Sequence, residues 1–244
     1  MTMKVLGVIP ARYQSSRLPG KPLMLIGGKP MIQRVYENAR TALCLDELLV
    51  ATDDQRIYDA VVAFGGKVEM TAADHPTGTD RLAEVARRHA EEIIINIQGD
   101  EVMIQGAVID AVTRPLLDDP ALVMTTAKTR LIDPEQVREP SVVKVVTDQA
   151  GYALYFSRSP IPYPRYPEQA EYWQHIGLYG YRRDFLLQYS RLPQSKLELT
   201  EALEQLRALT NGYRIKVAEV NFQAVGVDTP EDLEKARALF NQNN

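Results

Sequence analysis

The chain has one cysteine, Cys44, which rules out an internal disulfide and disfavours a zinc centre built on thiolates. Cys44 follows a helical pattern and reads as a buried structural thiol. The histidines are only His75, His89 and His175, and no Ser-His-Asp arrangement is recognisable around them. His89 continues the apolar stripe of its helix and reads as a packing residue. No apolar run is long enough to cross a bilayer and no secretory leader is visible, so no membrane insertion and a cytoplasmic location are expected. A formal net charge of −4 lacks the basic excess of a general nucleic-acid binder, and no nucleic-acid partner is expected. The commonest phosphate fingerprints are also missing. In a Walker A reading, Ser15 stands where the first glycine should be and Pro22 replaces the metal-binding hydroxyl. No Gly-x-Gly-x-x-Gly occurs after the first strand, so a dinucleotide site has no support.

What is present is an ordinary globular composition over 244 residues, enough for one large α/β domain or two unequal ones. Val5-Leu6-Gly7-Val8-Ile9 reads as a buried strand. Residues Ile32, Val35, Tyr36, Ala39 and Leu43 recur at helical spacing after Pro30. Strands follow at 48–52, 67–70 and 92–98, with helices opening after Asp54 and at 75–81, where Thr77 and Asp80 have the spacing of a helix cap. Strands that are apolar on both faces and alternate with helices imply a mainly parallel sheet covered on both sides. Past residue 105 the pattern changes. Strand-like runs at 121–127, 142–147, 152–157 and 175–181 suggest a smaller antiparallel segment, at about 127–182, appended to a single domain spanning 1–244. Leu199, Ala202, Leu203, Leu206 and Leu209 mark one helix over 198–211, and Gly212 stops it. Thr229-Pro230-Glu231-Asp232 opens the last helix.

Residues 9–22 organise the rest. The stretch follows the first strand and carries the cations Arg12, Arg17 and Lys21, with Ser15, Ser16 and Gly20 beside them. A donor-rich cationic loop at a strand end suits a polyanion such as a nucleoside triphosphate; the plainer alternative is a solvated surface loop. In parallel sheets, ligands bind beyond the carboxyl ends of the strands, and residues 10–22, 52–54, 75–81 and 98–101 all lie at such ends. Asp100 ends a buried strand in Gln98-Gly99-Asp100-Glu101, and Asp228 stands in Gly226-Val227-Asp228. Such a pair suits Mg²⁺, which takes one or two protein carboxylates together with phosphate oxygens and water, although each Asp alone could simply cap a turn. Together these groups suit attack of an acceptor hydroxyl on an α-phosphorus, with pyrophosphate leaving.

Several of these stretches occur in a known family. They are Ile9-Pro10-Ala11-Arg12-Tyr13-x-Ser15-Ser16-Arg17-Leu18-Pro19-Gly20-Lys21-Pro22, Gly78-Thr79-Asp80-Arg81 and Asn96-Ile97-Gln98-Gly99-Asp100-Glu101. The later ones are Phe156-Ser157-Arg158, His175-Ile176-Gly177, Leu203-Glu204-Gln205-Leu206-Arg207 and Gly226-Val227-Asp228-Thr229-Pro230. From about residue 4 to 239 the chain resembles the 3-deoxy-D-manno-octulosonate (Kdo) cytidylyltransferases, or CMP-Kdo synthetases. Val102 stands where that family commonly has proline.

The resemblance implies a nucleotide-diphospho-sugar transferase-like α/β fold with an antiparallel dimerisation segment, a homodimer, and Mg²⁺-dependent synthesis of CMP-Kdo from CTP and Kdo for lipopolysaccharide or capsule. It implies that Arg12, Ser15, Arg17, Lys21, Thr79, Arg81 and Gln98 surround CTP, with Lys21, Asp100 and Asp228 catalytic. Asp100 and Asp228 would hold Mg²⁺, and Arg158, His175, Tyr179, Glu204 and Gln205 would line the sugar pocket. An arginine can pair bidentately with the sugar's carboxylate. Glu204 and Gln205 could instead be the solvated face of their helix. The alternatives are a cytidylyltransferase for another acidic sugar, a sugar-1-phosphate nucleotidyltransferase, and a non-enzymatic nucleotide- or nucleic-acid-binding module.

Overall fold

A computed structural model describes residues 3–14, 18–222 and 226–242. In chain order the elements are β1 (Val5–Ala11), β2 (Leu25–Ile26), β3 (Lys29–Pro30), α1 (Met31–Ala39), β4 (Glu47–Thr52), α2 (Gln55–Ala63), β5 (Val68–Met70), α3 (Gly78–Arg88), β6 (Ile93–Asn96) and α4 (Gly106–Asp118). They continue with β7 (Met124–Leu131), α5 (Pro134–Arg138), β8 (Lys144–Thr147), β9 (Ala153–Ser157), β10 (Tyr172–Arg182), α6 (Arg183–Tyr189), α7 (Lys196–Glu201), α8 (Leu206–Thr210), β11 (Lys216–Glu219) and α9 (Pro230–Gln242). The chain forms two compact units, Met1–Asp110 with Ala224–Asn244, and Ala111–Gln223.

In the first unit β6, β1, β4 and β5 pair in that order, all parallel. β1 is flanked on both sides and nearly every residue in it is buried, as expected of a strand covered on both faces. α1 presents Met31, Ile32, Val35, Tyr36 and Ala39 to the core. The Tyr36 ring lies 5.5 Å from that of Phe64, and its hydroxyl donates to the Leu48 carbonyl at 3.2 Å, so its polar tip is satisfied. α3 starts at a full capping box: the Thr77 hydroxyl accepts from Asp80 N, and the Asp80 carboxylate accepts from Thr77 N. α9 is fastened to the β2–β3 hairpin and α1 by Arg237, which donates to the Leu25 carbonyl, and by Phe240, whose ring lies 4.0 Å beneath the Arg34 guanidinium. Its first turn carries a second box, with Thr229 N donating to Asp232 and Asp232 N donating to the Thr229 hydroxyl.

In the second unit β10 pairs antiparallel with β7, and β11 pairs parallel with β7 on its other side. β8 pairs antiparallel with β9 and meets β10 at Gln174 and Lys144. Stacked rings run from Tyr179 to Tyr181 and Tyr189, each step 6.0 Å between centroids. The mainly parallel, helix-flanked sheet with an antiparallel part is the architecture expected from the strand–helix alternation.

Four local readings need correction. The helix expected over 198–211 is two short helices, α7 and α8, separated at Ala202, which adopts φ +51°. Leu43 is not the end of the α1 stripe: the helix stops at Ala39, and Leu43 is 91% exposed. His89 does more than continue the apolar stripe: it caps the end of α3, and its Nε2 is hydrogen-bonded to Glu69 Oε1 at 2.5 Å. Cys44 is half-buried rather than buried. No helix among the described residues is long and apolar enough to cross a membrane.

Candidate active site

The first unit gathers its polar groups at the carboxyl ends of β1, β4 and β6. The loop after β1 is closed at its base by Gly20, whose N–H donates to the Tyr13 carbonyl at 2.8 Å. Gly20 has φ +72°, a conformation that L side chains rarely adopt. Lys21 follows in a short 3-10 turn stiffened by Pro22. Its ammonium lies 2.8 Å from Asp100 Oδ2 and 3.1 Å from Asp228 Oδ1. Burial works against the charge on Lys21, but the two carboxylates outweigh it and raise its pKa above the usual lysine value.

Two further contacts make that bridge possible. Gly99 lets the strand-end turn lie against β1, since a Cβ there would stand 2.9 Å from the Pro10 carbonyl oxygen. The segment before α9 is joined to the same turn by a bridge between Glu101 and Gly226, and by Val227 N donating to the Asp100 carbonyl at 3.2 Å.

The other nucleotide candidates stand around this group. Arg12 is half-buried just past β1, and Gln98 is half-buried just past β6. Ser15 and Arg17 lie outside the described residues. Thr79 is buried in the first turn of α3. Arg81 is fully buried, with Nη1 donating to the Thr71 hydroxyl and Nη2 3.2 Å from Asp53 Oδ2. Among the described residues, neither its Nε nor its Nη2 has a hydrogen-bond acceptor. Buried donors left this way are costly unless something else accepts from them, which suits a base or ribose oxygen. Asp53 and Thr71 were not identified as site residues from the sequence. The Thr52-Asp53-Asp54 strand end could have pointed to Asp53, whereas nothing distinguished Thr71.

The second unit brings together His175, Tyr179 and Glu204. The pairing of β10 with β7 slips between Ile176 and Tyr179. Residues four apart on a regular strand lie about 13 Å apart, but the bulge places the His175 and Tyr179 rings 5.4 Å apart. Phe156 packs edge-on against the other side of the His175 ring at 5.0 Å. His175 keeps some surface as a residue, yet burial of its ring pushes the pKa down to about 3, so the imidazole is neutral. The Thr126 hydroxyl lies 3.0 Å from His175 Nε2 and has the carbonyls of Ile176 and Leu178 within donating reach. Having given its proton to a carbonyl, that hydroxyl accepts from Nε2–H, which leaves Nδ1 as an acceptor.

Burial and then the Glu204 carboxylate raise the Tyr179 phenol well above its usual value. Glu204 and Gln205 occupy the break between α7 and α8, and the Glu204 carbonyl accepts from the Tyr189 hydroxyl at 2.7 Å. The break is anchored by a buried ion pair in which Arg207 Nε donates to Glu198 at 2.9 Å. Gln205 is buried. The guanidinium hydrogen bonds of Arg158, just past β9, run to the carbonyls of Pro140, Glu201 and Ala202.

A parallel sheet whose strand ends collect cations around a pair of carboxylates is the frame of a nucleotidyltransferase. A family model described as cytidylyltransferase matches residues 6–215. The 3-deoxy-manno-octulosonate cytidylyltransferase of Syntrophotalea carbinolica is 56% identical over 245 residues, covering 97% of this chain and 98% of its own. That of Solibacter usitatus is 55% identical over 241 residues, covering 98% of this chain and 96% of its own. A solved CMP:2-keto-3-deoxy-manno-octonic acid synthetase, complexed with CTP, is 53% identical with a TM-score of 0.96, covering 99% of this chain and 100% of that one. The chain belongs to the cytidylyltransferase family, in the group of 3-deoxy-manno-octulosonate cytidylyltransferases.

The neutral state of His175 has a thermodynamic signature. Its folded value of about 3 lies below the ordinary 6.5, so the unfolded chain binds the extra proton as pH falls. Stability then drops with falling pH below about 6.5, by up to about 1.4 kcal/mol per pH unit from this group. His175→Gln is expected to flatten the pH 6.5–4 limb of unfolding free energy in urea titrations. Identical limbs would show that His175 is not the titrating group.

Proposed function

We propose that the protein transfers the cytidylyl group of CTP to 3-deoxy-manno-octulosonate, forming CMP-Kdo and diphosphate. The observation that carries this reading is the Lys21 ammonium held between Asp100 and Asp228, in a chain 53% identical to a synthetase solved with CTP. A hydroxyl oxygen of the sugar bonds to the α-phosphorus. The bond from that phosphorus to the oxygen bridging to the β-phosphate breaks, diphosphate leaves with its electrons, and the hydroxyl proton passes to solvent.

This chain's residues act by binding and orientation. Lys21 and Arg12 offset phosphate charge, each charge-assisted hydrogen bond contributing roughly 1.5–3 kcal/mol. Arg81 and Thr79 face the nucleoside, and the Arg81 Nε–H, buried and without an acceptor among the described residues, is left to donate to it. Ser15, Arg17 and Gln98 complete the nucleotide side. His175, Tyr179, Glu204 and Gln205 hold the hydroxyls of the sugar, and Arg158 its carboxylate.

Asp100 and Asp228 are the residues that would hold Mg²⁺. The donor set fits that ion: two hard carboxylates already converge on a cation. Among the described residues no larger group of ligating side chains gathers, so most of the shell falls to phosphate and water, as Mg²⁺ prefers. When bound, the ion supplies neutralisation of charge on the phosphate oxygens.

A homodimer through the antiparallel part of the second unit belongs to the same proposal. A groove of about 870 Å³ there is lined by Leu131, Ile132, Val137, Tyr163, Pro164 and Tyr172, and Tyr163 is 86% exposed. An apolar groove with exposed aromatic residues suits an interface between copies. The proposal also includes a cytoplasmic location, where CTP is available.

Two measurements test this reading. Diphosphate release from CTP is expected with 3-deoxy-manno-octulosonate and far less with other ulosonic acids or with sugar 1-phosphates; faster turnover of any of these would reassign the acceptor. Sedimentation velocity is expected to show a dimer that Tyr163→Asp converts to monomer, and a wild-type monomer would contradict the interface.

A further inference from the structure

Arg158 has five N–H donors on its guanidinium, and the structure shows where three of them go. Nε donates to the Glu201 carbonyl at 2.7 Å, Nη1 to the Pro140 carbonyl at 2.9 Å, and Nη2 to the Ala202 carbonyl at 3.2 Å. One N–H remains on each terminal nitrogen, so the guanidinium keeps two donors for a carboxylate. The direction of that pair is set by the carbonyls, and two of the three belong to the end of α7.

Glu201 holds the same assembly from the other side. Its Oε1 accepts from the Ser157 hydroxyl at 2.7 Å, and its Oε2 accepts from the main-chain N–H of Arg158 at 2.9 Å. One residue therefore grips the backbone of Arg158 with its side chain and the guanidinium with its carbonyl. Burial and then the charge of this carboxylate raise the Tyr155 phenol above its ordinary value. On the far side the buried Lys144 donates to the Arg158 carbonyl at 2.5 Å and the Glu139 carbonyl at 3.0 Å, so the strand end is held at both edges.

The next residue, Ala202, takes φ +51°, where alanine is rarely found. Its carbonyl is the one bonded to Arg158 Nη2, and Leu203 N donates back to the Glu198 carbonyl at 3.1 Å. This turn ends α7 and delivers Glu204 and Gln205. We propose that Glu201 is the positioning residue of the acid-sugar site, aiming the two remaining donors of Arg158 and fixing the turn that carries Glu204 and Gln205. The inference rests on the sugar-site reading above; Glu201 itself touches no substrate.

The test compares the wild type with Glu201→Ala and Glu201→Gln in steady-state turnover of CTP and 3-deoxy-manno-octulosonate. Glu201→Ala is expected to raise the KM for the sugar at least tenfold while the KM for CTP stays within twofold. Glu201→Gln, which keeps one acceptor oxygen, should fall between the two. Discrimination between the free acid and its methyl ester, read as the ratio of their inhibition constants for unreactive 2-deoxy analogues, should shrink in step. A purely structural role would lower the active fraction and leave both KM values and this ratio unchanged, which would overturn the proposal, as would an equal rise in both KM values. If Glu201→Ala does not fold, the same split is required of Glu201→Gln. Failure of the functional reading appears separately, as a wild type that does not turn over this sugar.

Discussion

Two aspartates far apart in the chain meet one lysine, and much of the first unit is arranged to allow it. Asp100 arrives from the end of β6 and Asp228 from the start of α9, and the Lys21 ammonium lies within 3.1 Å of both. Two carboxylates sharing one partner would repel each other without the cation between them. The surrounding devices serve that meeting. Gly20 closes the loop that presents Lys21, Gly99 lets the strand-end turn touch β1, and the Glu101–Gly226 bridge fixes the segment before α9. α9 is in turn held by Arg237 and Phe240. A triphosphate with its metal ion is the ligand for which such a mixture of cation and paired carboxylates is suited.

The second unit uses burial where the first uses charge. The His175 imidazole is neutral, the Tyr179 phenol keeps its proton, and the ion pair that anchors the α7–α8 break is out of water. Neutral donors and acceptors at fixed positions can read hydroxyl groups without competing for a charged partner. Arg158 brings a cation whose guanidinium is held by the carbonyls of Pro140, Glu201 and Ala202.

How much of this was legible in the sequence follows from which forces are local. The parallel sheet was readable because Val5–Ala11, Glu47–Thr52 and Ile93–Asn96 are apolar on both faces, and Thr77 and Asp80 announce α3 by spacing alone. The convergence of Asp100 and Asp228 could be anticipated from strand ends and from the family resemblance, but no local pattern contains Lys21's position between them. The break at Ala202 was hidden because Leu199, Ala202, Leu203 and Leu206 are good helix formers at helical spacing. Distant carbonyl bonds to Arg158 override that preference, and no glycine or proline marks the spot. The bulge in β10 was likewise invisible, since an extra pair of residues leaves the apolar alternation on either side intact. His89 misled because a histidine on an apolar stripe looks like packing until Glu69, from a neighbouring strand, is seen beside it.

The central claim is that Asp100 and Asp228 form one seat for a cation shared with the nucleotide. Isothermal titration of CTP with and without Mg²⁺ tests it most directly. The account predicts that the wild type binds CTP at least tenfold more tightly when Mg²⁺ is present, and that the double variant Asp100→Asn with Asp228→Asn loses that gain. A double variant that keeps the full Mg²⁺ enhancement would contradict it.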